Sequence, residues 1–254
     1  MNSNLKIRLV TTTLFAVAIT TFFTSASAQN KGSYEIGINA GTLIYQGDLS
    51  NSALGSVKNL KPAIGVYLNK ELDAYFSLRA NLLYGKIGDD ESQYSSPSFK
   101  QQRNFKFSTS VTELSTLLVW NFLGDNSTTD YHLLSPYIFG GVGISLLNVK
   151  RDWSRINRAV FDDKSSTIIG LGIDTLHATP TLLPIIPVGV GLRWAVNDKI
   201  NIRGEATYRF TFSDYIDGFS QSVNPSTNDK YYGLSLGVGF KLFNNNYKCP
   251  TIRR

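Results

Sequence analysis

The chain has 254 residues, of which 42% are hydrophobic and 17% are charged; it contains 21 Gly, 13 Tyr and 15 Phe but a single Cys. The many aromatic residues exclude a disordered chain, and this composition is not typical of a helix bundle. One Cys excludes a disulfide framework and a multi-Cys metal site. The formal net charge is +6, and the +4 that remains without Lys6 and Arg8 is modest for a nucleic-acid binder.

The first 28 residues are typical of an export signal. Lys6 and Arg8 form the charged start, an apolar stretch follows, and 26–28 (ASA) provides small residues for cleavage. Removing Lys6 and Arg8 from the 25 basic residues leaves 23 against 19 acidic ones. We predict a signal peptide at 1–28, an outer-membrane β-barrel at 29–243 and a periplasmic tail at 244–254.

The rest of the chain shows period-two alternation in place of any apolar run of about 18 residues, the length of a membrane helix. Large apolar residues alternate with glycine, polar or charged residues, which favours a barrel with lipid outside and a packed polar lumen inside. A soluble β-sandwich is the alternative. We predict an all-β fold, an eight-stranded antiparallel transmembrane barrel, with strands at 34–45, 61–69, 74–87, 103–122, 136–149, 184–196, 199–213 and 231–243.

The fourth predicted strand changes phase along its length. Phe105, Phe107, Thr109 and Val111 share odd numbers, whereas Leu114, Thr116, Leu118, Trp120 and Phe122 share even numbers. One extra residue in a strand shifts the alternation in this way, so the sequence predicts a β-bulge near Thr112 and Glu113.

The polar face of the predicted strands carries balanced charge. Four Arg and three Glu nearly neutralise one another, as expected of enclosed ions that must pair to offset desolvation. We predict a lumen charge network of Glu35, Arg79, Glu113, Arg193, Arg203, Glu205 and Arg209.

Long and short connections alternate along the chain. Long loops at 46–60, 88–102, 150–183 and 214–230 predict the extracellular side, with turns and both termini in the periplasm. Aromatic residues agree, since they cluster at both ends of the strands. The predicted periplasmic girdle is Tyr34, Phe76, Trp120, Phe122, Trp194 and Phe240, and the outer girdle is Tyr84, Phe105, Tyr208, Phe210 and Tyr232.

Catalytic and metal-binding groupings are weak in this sequence. His132 falls in a predicted turn and His177 in the longest loop, so neither is placed beside a nucleophile. The acidic runs at 89–91 and 162–163 lack regular calcium-ligand spacing, and solvated loop charge is the simpler interpretation. We predict no enzyme, no cofactor and no metal, and an eight-stranded barrel is too narrow for a general diffusion pore.

Two surface segments offer contacts with partners. Lys150, Arg151, Arg155 and Arg158 cluster near the predicted membrane edge and are candidates for lipid phosphates, or form a plain solvated loop. The tail extends past the last strand and contains the odd Cys, which suggests an intermolecular bond, a free thiol or a frayed end. The predicted partner-binding residues there are Tyr247, Lys248, Cys249, Arg253 and Arg254.

Several segments together resemble the PorG-like outer-membrane barrel family. They are 41–49 (GTLIYQGDL), 113–115 (ELS) with 121–122 (NF), 135–143 (SPYIFGGVG), 187–191 (PVGVG) and 208–217 (YRFTFSDYID). The resemblance spans essentially the whole mature chain. It implies a structural role in the type IX protein secretion apparatus, in which such barrels associate with the periplasmic PorK and PorN ring.

The leading hypothesis is therefore a non-enzymatic barrel in outer-membrane lipid that anchors or organises a periplasmic secretion assembly through turn 123–135 and the tail. A surface barrel that binds an external ligand or lipopolysaccharide through its long loops is the first alternative. An outer-membrane lipid-modifying enzyme is the second.

Overall fold

The computed structural model describes residues 33–52, 55–126, 132–224 and 229–242. Eight antiparallel strands, paired in chain order, close into one barrel, so the predicted fold class is confirmed. Every strand boundary lies within three residues of its prediction. The strands are β1 (Tyr34–Gln46), β2 (Lys61–Glu71), β3 (Phe76–Asp90), β4 (Lys106–Asn121), β5 (Leu134–Asp152), β6 (Leu182–Ala195), β7 (Ile200–Thr211) and β8 (Lys230–Leu242).

The connections divide the barrel into a loop end and a turn end. Loops 1 to 4 are 47–60, 91–105, 153–181 and 212–229, and turns 1 to 3 are 72–75, 122–133 and 196–199. Loop 2 contains helix α1 (Ser98–Arg103) and loop 3 contains helix α2 (Ser166–Leu176). In the described part of the chain, no helix has the length and apolar content needed to cross a membrane.

The barrel is closed by a seam between its first and last strands. The ladder runs from Tyr34 opposite Leu242 to Gln46 opposite Lys230, so every residue of β1 has a partner on β8. The seam therefore has the same antiparallel pairing as the other ladders, and it satisfies backbone groups that an open sheet edge would leave unpaired.

Alternation along the strands separates an apolar outside from a packed inside. Even-numbered side chains point outward in all eight strands, and most of the larger apolar ones among them are exposed or partly exposed; Ile44, near the loop end of β1, is buried. The predicted aromatic residues at the turn end, from Tyr34 to Phe240, all lie on this outer surface. The assignment of Phe105 to the outer girdle is wrong: its side chain is fully buried and stacks on Phe219.

The predicted bulge in β4 is wrong. Pairing with β3 runs without interruption from Phe76 opposite Trp120 to Asp90 opposite Lys106, and the ladder with β5 is also continuous. The odd-numbered residues stay inside throughout. The apolar residues change parity because the interior itself changes character: near the loop end it is apolar, so Phe107 and Val111 are inward-facing core residues.

All four loops contribute to that apolar interior. Leu49 of loop 1, Phe105 of loop 2, Leu171 of loop 3, and Ile216 and Phe219 of loop 4 are buried. They pack on inward-facing residues of the strands, and we call this assembly the loop cap. Its strand residues include Leu43, Tyr45, Ile87, Phe107, Val111, Leu147, Leu183 and Tyr231.

Candidate functional site: the ion-pair layer and the loop cap

Three buried ion pairs cross the lumen, and we call them the ion-pair layer. Arg79 Nη1 lies 2.5 Å from Glu205 Oε1, Arg203 Nη2 lies 2.6 Å from Glu35 Oε2, and Arg209 Nε lies 2.5 Å from Glu113 Oε2. A buried charge without a partner is costly, so the pairing explains how this sequence tolerates charge inside the barrel. Each pair joins strands that are distant in sequence and braces the barrel across its lumen.

Two tyrosines link the Arg79–Glu205 and Arg203–Glu35 pairs. Tyr67 donates a hydrogen bond of 2.8 Å to Glu35, and Tyr137 donates one of 2.6 Å to Glu205. The Arg79 guanidinium also lies 5.0 Å from the Tyr67 ring centroid and 5.6 Å from that of Tyr137, within cation–π range. These two pairs thus form one connected network with tyrosine rings between their charges, whereas Arg209 of the third pair lies 5.3 Å from the Tyr231 ring centroid.

Inward-facing glycines make room for these rings. A Cβ on Gly37 would lie 2.2 Å from the Tyr67 ring, and one on Gly191 would lie 2.3 Å from the Tyr137 ring. Real Cβ atoms do not approach carbon this closely, so both positions need glycine. The glycines on the polar face of the sequence are therefore packing sites for tyrosine and leave no open channel at these points.

The fourth lumen arginine, Arg193, holds turn 2. Its Nη2 donates a 2.9 Å hydrogen bond to the Asp125 backbone oxygen and lies 3.8 Å from the Asp125 carboxylate. Burial raises the pKa of Asp125, but hydrogen bonds from Ser135 and His132 outweigh this effect and hold the pKa below its ordinary value. An ionised Asp125 thereby fixes the described part of turn 2 to the barrel.

His132 and Ser135 do not form a nucleophile and base pair through a direct contact. His132 Nδ1 lies 2.6 Å from Asp125 Oδ1, and Ser135 donates to the other oxygen of the same carboxylate. Asp125 therefore lies between the two groups. His177 lies at the other end of the barrel, where it stacks on Tyr215 with a centroid separation of 4.1 Å.

At the loop end, Tyr45 bridges two buried aspartates of loop 4. Its hydroxyl oxygen lies 2.6 Å from Asp217 Oδ2 and 2.6 Å from Asp229 Oδ1. A phenol has one proton and donates to one carboxylate only. The second short contact requires the other aspartate to be protonated and to donate to the phenol oxygen. We call this arrangement the shared-proton bridge.

The surroundings of the bridge favour a neutral acid. Burial raises the pKa of Asp229 to about 8. Burial, followed by the charge of Asp229, raises the pKa of Asp217 well above its ordinary value. Two other carboxylates act on the pair: Asp214 of loop 4 raises both pKa values further, and Asp48 of loop 1 raises that of Asp229.

Three more buried acids fix the loops, two of them between loops and one, Glu91, within loop 2. Asp174 of α2 accepts hydrogen bonds from the backbone N–H groups of residues 220–222 in loop 4. Asp89 accepts bonds from Ser56, Asn59 and Tyr94, which ties loops 1 and 2 to β3. Glu91 forms an ion pair with Arg103.

The interpretation of run 89–91 as solvated charge is therefore wrong for Asp89 and Glu91, because loop residues cover both. Asp163 remains solvated, with 94% of its side chain exposed. No group of three or more residues suited to a metal ion occurs among the described residues.

All seven predicted lumen residues lie inside the barrel, although only six belong to the three ion pairs across it. The predicted tail residues, from Tyr247 to Arg254, lie outside the described residues. Sequence reasoning missed Asp125, Asp217 and Asp229. Two of the quoted motifs contain residues of the shared-proton bridge: 208–217 contains Asp217, and 41–49 contains Tyr45. These motifs were the available sequence signal for the bridge.

Comparisons with solved structures return small barrels at low identity. A major outer membrane protein from Thermus thermophilus has 10% identity and a TM-score of 0.46, covering 84% of this chain and 100% of that chain. The attachment invasion locus protein Ail of Yersinia pestis, in complex with the heparin analogue sucrose octasulfate, has 11% identity and a TM-score of 0.44, with the same coverage. The outer membrane protein OprG from Pseudomonas aeruginosa has 10% identity and a TM-score of 0.44, covering 85% and 99%.

No curated protein matches the sequence. The family described as "Domain of unknown function (DUF6089)" matches residues 11–247, which is nearly the whole chain, and the protein therefore belongs to the DUF6089 family.

Proposed function

We propose that this protein is a non-enzymatic outer-membrane barrel that anchors or organises a periplasmic protein-secretion assembly of type IX, as PorG-like barrels do. The loop end faces outward, and both termini and the turn end lie in the periplasm. The partners at the turn end are ring proteins of the PorK and PorN kind.

The outer surface supports the membrane location. Large aliphatic side chains such as Ile38, Val142 and Leu236 are more than half exposed although they lie in the middle of strands. Such a continuous apolar surface is unusual on a soluble monomer but normal on a barrel surrounded by lipid.

The sealed interior is the observation that carries the proposal. The ion-pair layer fills the lumen with paired charges and tyrosine rings, and the loop cap fills the loop half with apolar side chains. A barrel filled from both sides serves as an anchor or scaffold and does not conduct solutes.

Turn 2 offers the partner surface in this proposal. Phe122, Leu123, Leu133 and Leu134 lie at the two bases of this turn and are exposed, with Leu133 at 67%. Arg193 binds Asp125 of the same turn, so the backbone that carries these apolar side chains is held to the barrel. Exposed aliphatic residues on an anchored turn are suited to burial against a second protein.

The test is co-purification from native membranes in mild detergent with the wild-type chain, the Leu133→Asp variant and a chain lacking 244–254. We expect the wild type to retain ring components and both altered chains to lose most of them. Leu176→Asp, at a 90% exposed residue of the loop end, is the matched control and keeps them. No ring component with the wild type, together with normal secretion after removal of the tail, would refute the proposal.

Helix α2 favours a second candidate function, the binding of an external partner at the loop end. Ile169, Ile173 and Leu176 form an exposed apolar stripe at helical spacing, while Asp174 on the opposite face holds the helix to loop 4. This function predicts that Ile173→Asp abolishes surface binding and leaves secretion intact.

The non-enzymatic assignment is tested directly on lipid. We expect purified barrel to leave lipid A and phospholipid unchanged. Turnover that disappears in His132→Ala or His177→Ala would replace this assignment with a lipid-modifying enzyme.

A further inference from the structure

The outward face of β3, β4 and β5 becomes basic near the loop end. Lys86, Lys106 and Lys150 lie on these three adjacent strands, and each has an even number and an exposed side chain. They therefore point away from the barrel axis, toward the surroundings of the apolar band.

The strand register places hydroxyl groups between these lysines. Ser110 is opposite Lys86 on β3, and Ser108 is opposite Lys150 on β5. Both serines also point outward. Neighbouring strands lie about 4.8 Å apart, so the ammonium groups and the hydroxyls fall within reach of one phosphate group.

This basic surface directly continues the apolar band. At the next outward position toward the turn end, Thr112 is opposite Tyr84 on β3 and opposite Leu146 on β5. Tyr84 and Leu146 are both about half exposed. A molecule with an anionic head and an apolar tail matches this order of side chains.

Among the residues that the structure describes, the other side of the barrel has no such group of adjacent lysines at the same end. The outward residues there include Leu182 at the start of β6 and Phe212 just after β7, and both are more than half exposed. The described residues thus place three lysines on adjacent strands in this sector of the rim, and Lys230 at the start of β8 lies apart from them.

The charges on the surface are only partly neutralised. Lys106 Nζ lies 3.1 Å from Asp90 Oδ2, and Asp152 is opposite Lys106 on β5. Lys86 and Lys150 have no ion pair within the described ranges. The sequence-based assignment of Arg151 to lipid phosphates is wrong: its guanidinium donates a 2.7 Å bond to the Gly218 backbone oxygen.

We propose that Lys86 and Lys150, assisted by Lys106 and the hydroxyls of Ser108 and Ser110, bind the phosphate of an anionic lipid headgroup in the leaflet at the loop end. The acyl chains of this lipid lie along Tyr84 and Leu146. The inference rests on the proposed membrane location and adds to it a preferred lipid class.

The test uses the full barrel in nanodiscs of phosphatidylcholine with a minor fraction of phosphatidylglycerol, followed by native mass spectrometry of the lipids that stay bound. A lysine near an anionic headgroup changes binding by about fivefold. We expect Lys86→Gln with Lys150→Gln to reduce phosphatidylglycerol retention by about 25-fold if the effects add. Lys106→Gln has a smaller effect because Asp90 already pairs with it.

The matched control is Lys70→Gln with Lys199→Gln, which removes the same charge at the turn end and leaves retention unchanged. Equal retention by wild type and the Lys86/Lys150 variant would overturn the site. Complete displacement of the lipid by inorganic phosphate would also overturn it, because the surface would then recognise a free anion. Failure of the wild-type chain to enter nanodiscs would refute the membrane location itself, and the site with it.

Discussion

The turn half of the barrel interior contains arginines and glutamates that neutralise one another, beside a small buried cluster of Leu117, Val119, Tyr137 and Phe139. The loop half is filled mainly by aromatic and aliphatic side chains. The ion-pair layer comes from the strands alone. The loop cap needs residues from all four loops to close over its apolar core. The strands alone therefore position the ion pairs, because each buried ion needs a partner of opposite charge at a defined place. The apolar side chains of the loop half have no such directional contacts, so they need loop residues to cover them from water.

The largest expected effect is on the ion-pair layer. Arg79→Leu leaves Glu205 buried without its partner, and we expect the barrel to lose about 3–5 kcal/mol of unfolding free energy. Urea unfolding in lipid vesicles measures this loss. Adding Glu205→Gln to the same chain is expected to recover much of it. If Arg79→Leu alone were as stable as the wild type, the Arg79–Glu205 pair would not stabilise the barrel.

A substitution in the loop cap is expected to destabilise the cap without destabilising the strands. Phe219→Ala removes the stacking partner of Phe105 and leaves a cavity, which destabilises the closed cap by about 3 kcal/mol. Hydrogen exchange of the loop 4 amides detects this opening while the strands stay protected. Leu176→Ala is the exposed control and changes neither region. Simultaneous opening of cap and strands would contradict the independence of the two halves.

The shared-proton bridge makes the cap sensitive to pH. An acid whose pKa is raised in the closed cap stabilises that cap while it is protonated, so the contribution is complete below the ordinary carboxyl pKa of about 4. It is progressively lost as the pH rises through the pKa of Asp229, about 8. We expect loop 4 exchange, corrected for its chemical pH dependence, to increase over this range.

Asp217→Asn tests the bridge because its amide N–H donates to Tyr45 without a titrating proton. We expect this variant to keep the cap closed and to lose the pH response, while Asp163→Asn in loop 3 behaves as the wild type. A pH response that survives in Asp217→Asn would show that the titration does not depend on a proton shared between Asp217 and Tyr45.

The smallest expected effect concerns a single methyl group. Gly191→Ala places a Cβ against the Tyr137 ring and displaces it from Glu205, which costs about 1–3 kcal/mol. Gly172→Ala in α2 meets no atom within 4 Å and serves as the control. Thermal unfolding separates the two variants, and equal midpoints would mean that the lumen rings have room to shift.

Parity along the strands was enough to predict the barrel and the inward charges, because a period of two assigns each side chain to one face. Parity was not enough to predict which of these charged residues form ion pairs with each other. Arg79 and Glu205 are 126 positions apart and meet across the lumen, not along a ladder. Their contact depends on how the barrel closes, which local alternation does not encode.

The loop cap was beyond prediction for a different reason. Loop residues such as Asp217 and Phe219 follow no period, and their burial depends on contacts with other loops. The false bulge in β4 has the same origin. Apolar residues facing inward imitate a phase shift, because the sequence offers no sign that one half of the lumen is apolar.

The β1–β8 seam has a consequence for how such a chain reaches its final state. The first and last strands are far apart in sequence, so the backbone groups of β1 find their second partner only when β8 is present. In hydrocarbon an unpaired strand edge is strongly disfavoured. With the proposed membrane location, all eight strands must therefore be present before the barrel closes, and a translation product that stops short of β8 is expected to remain unfolded and to be degraded.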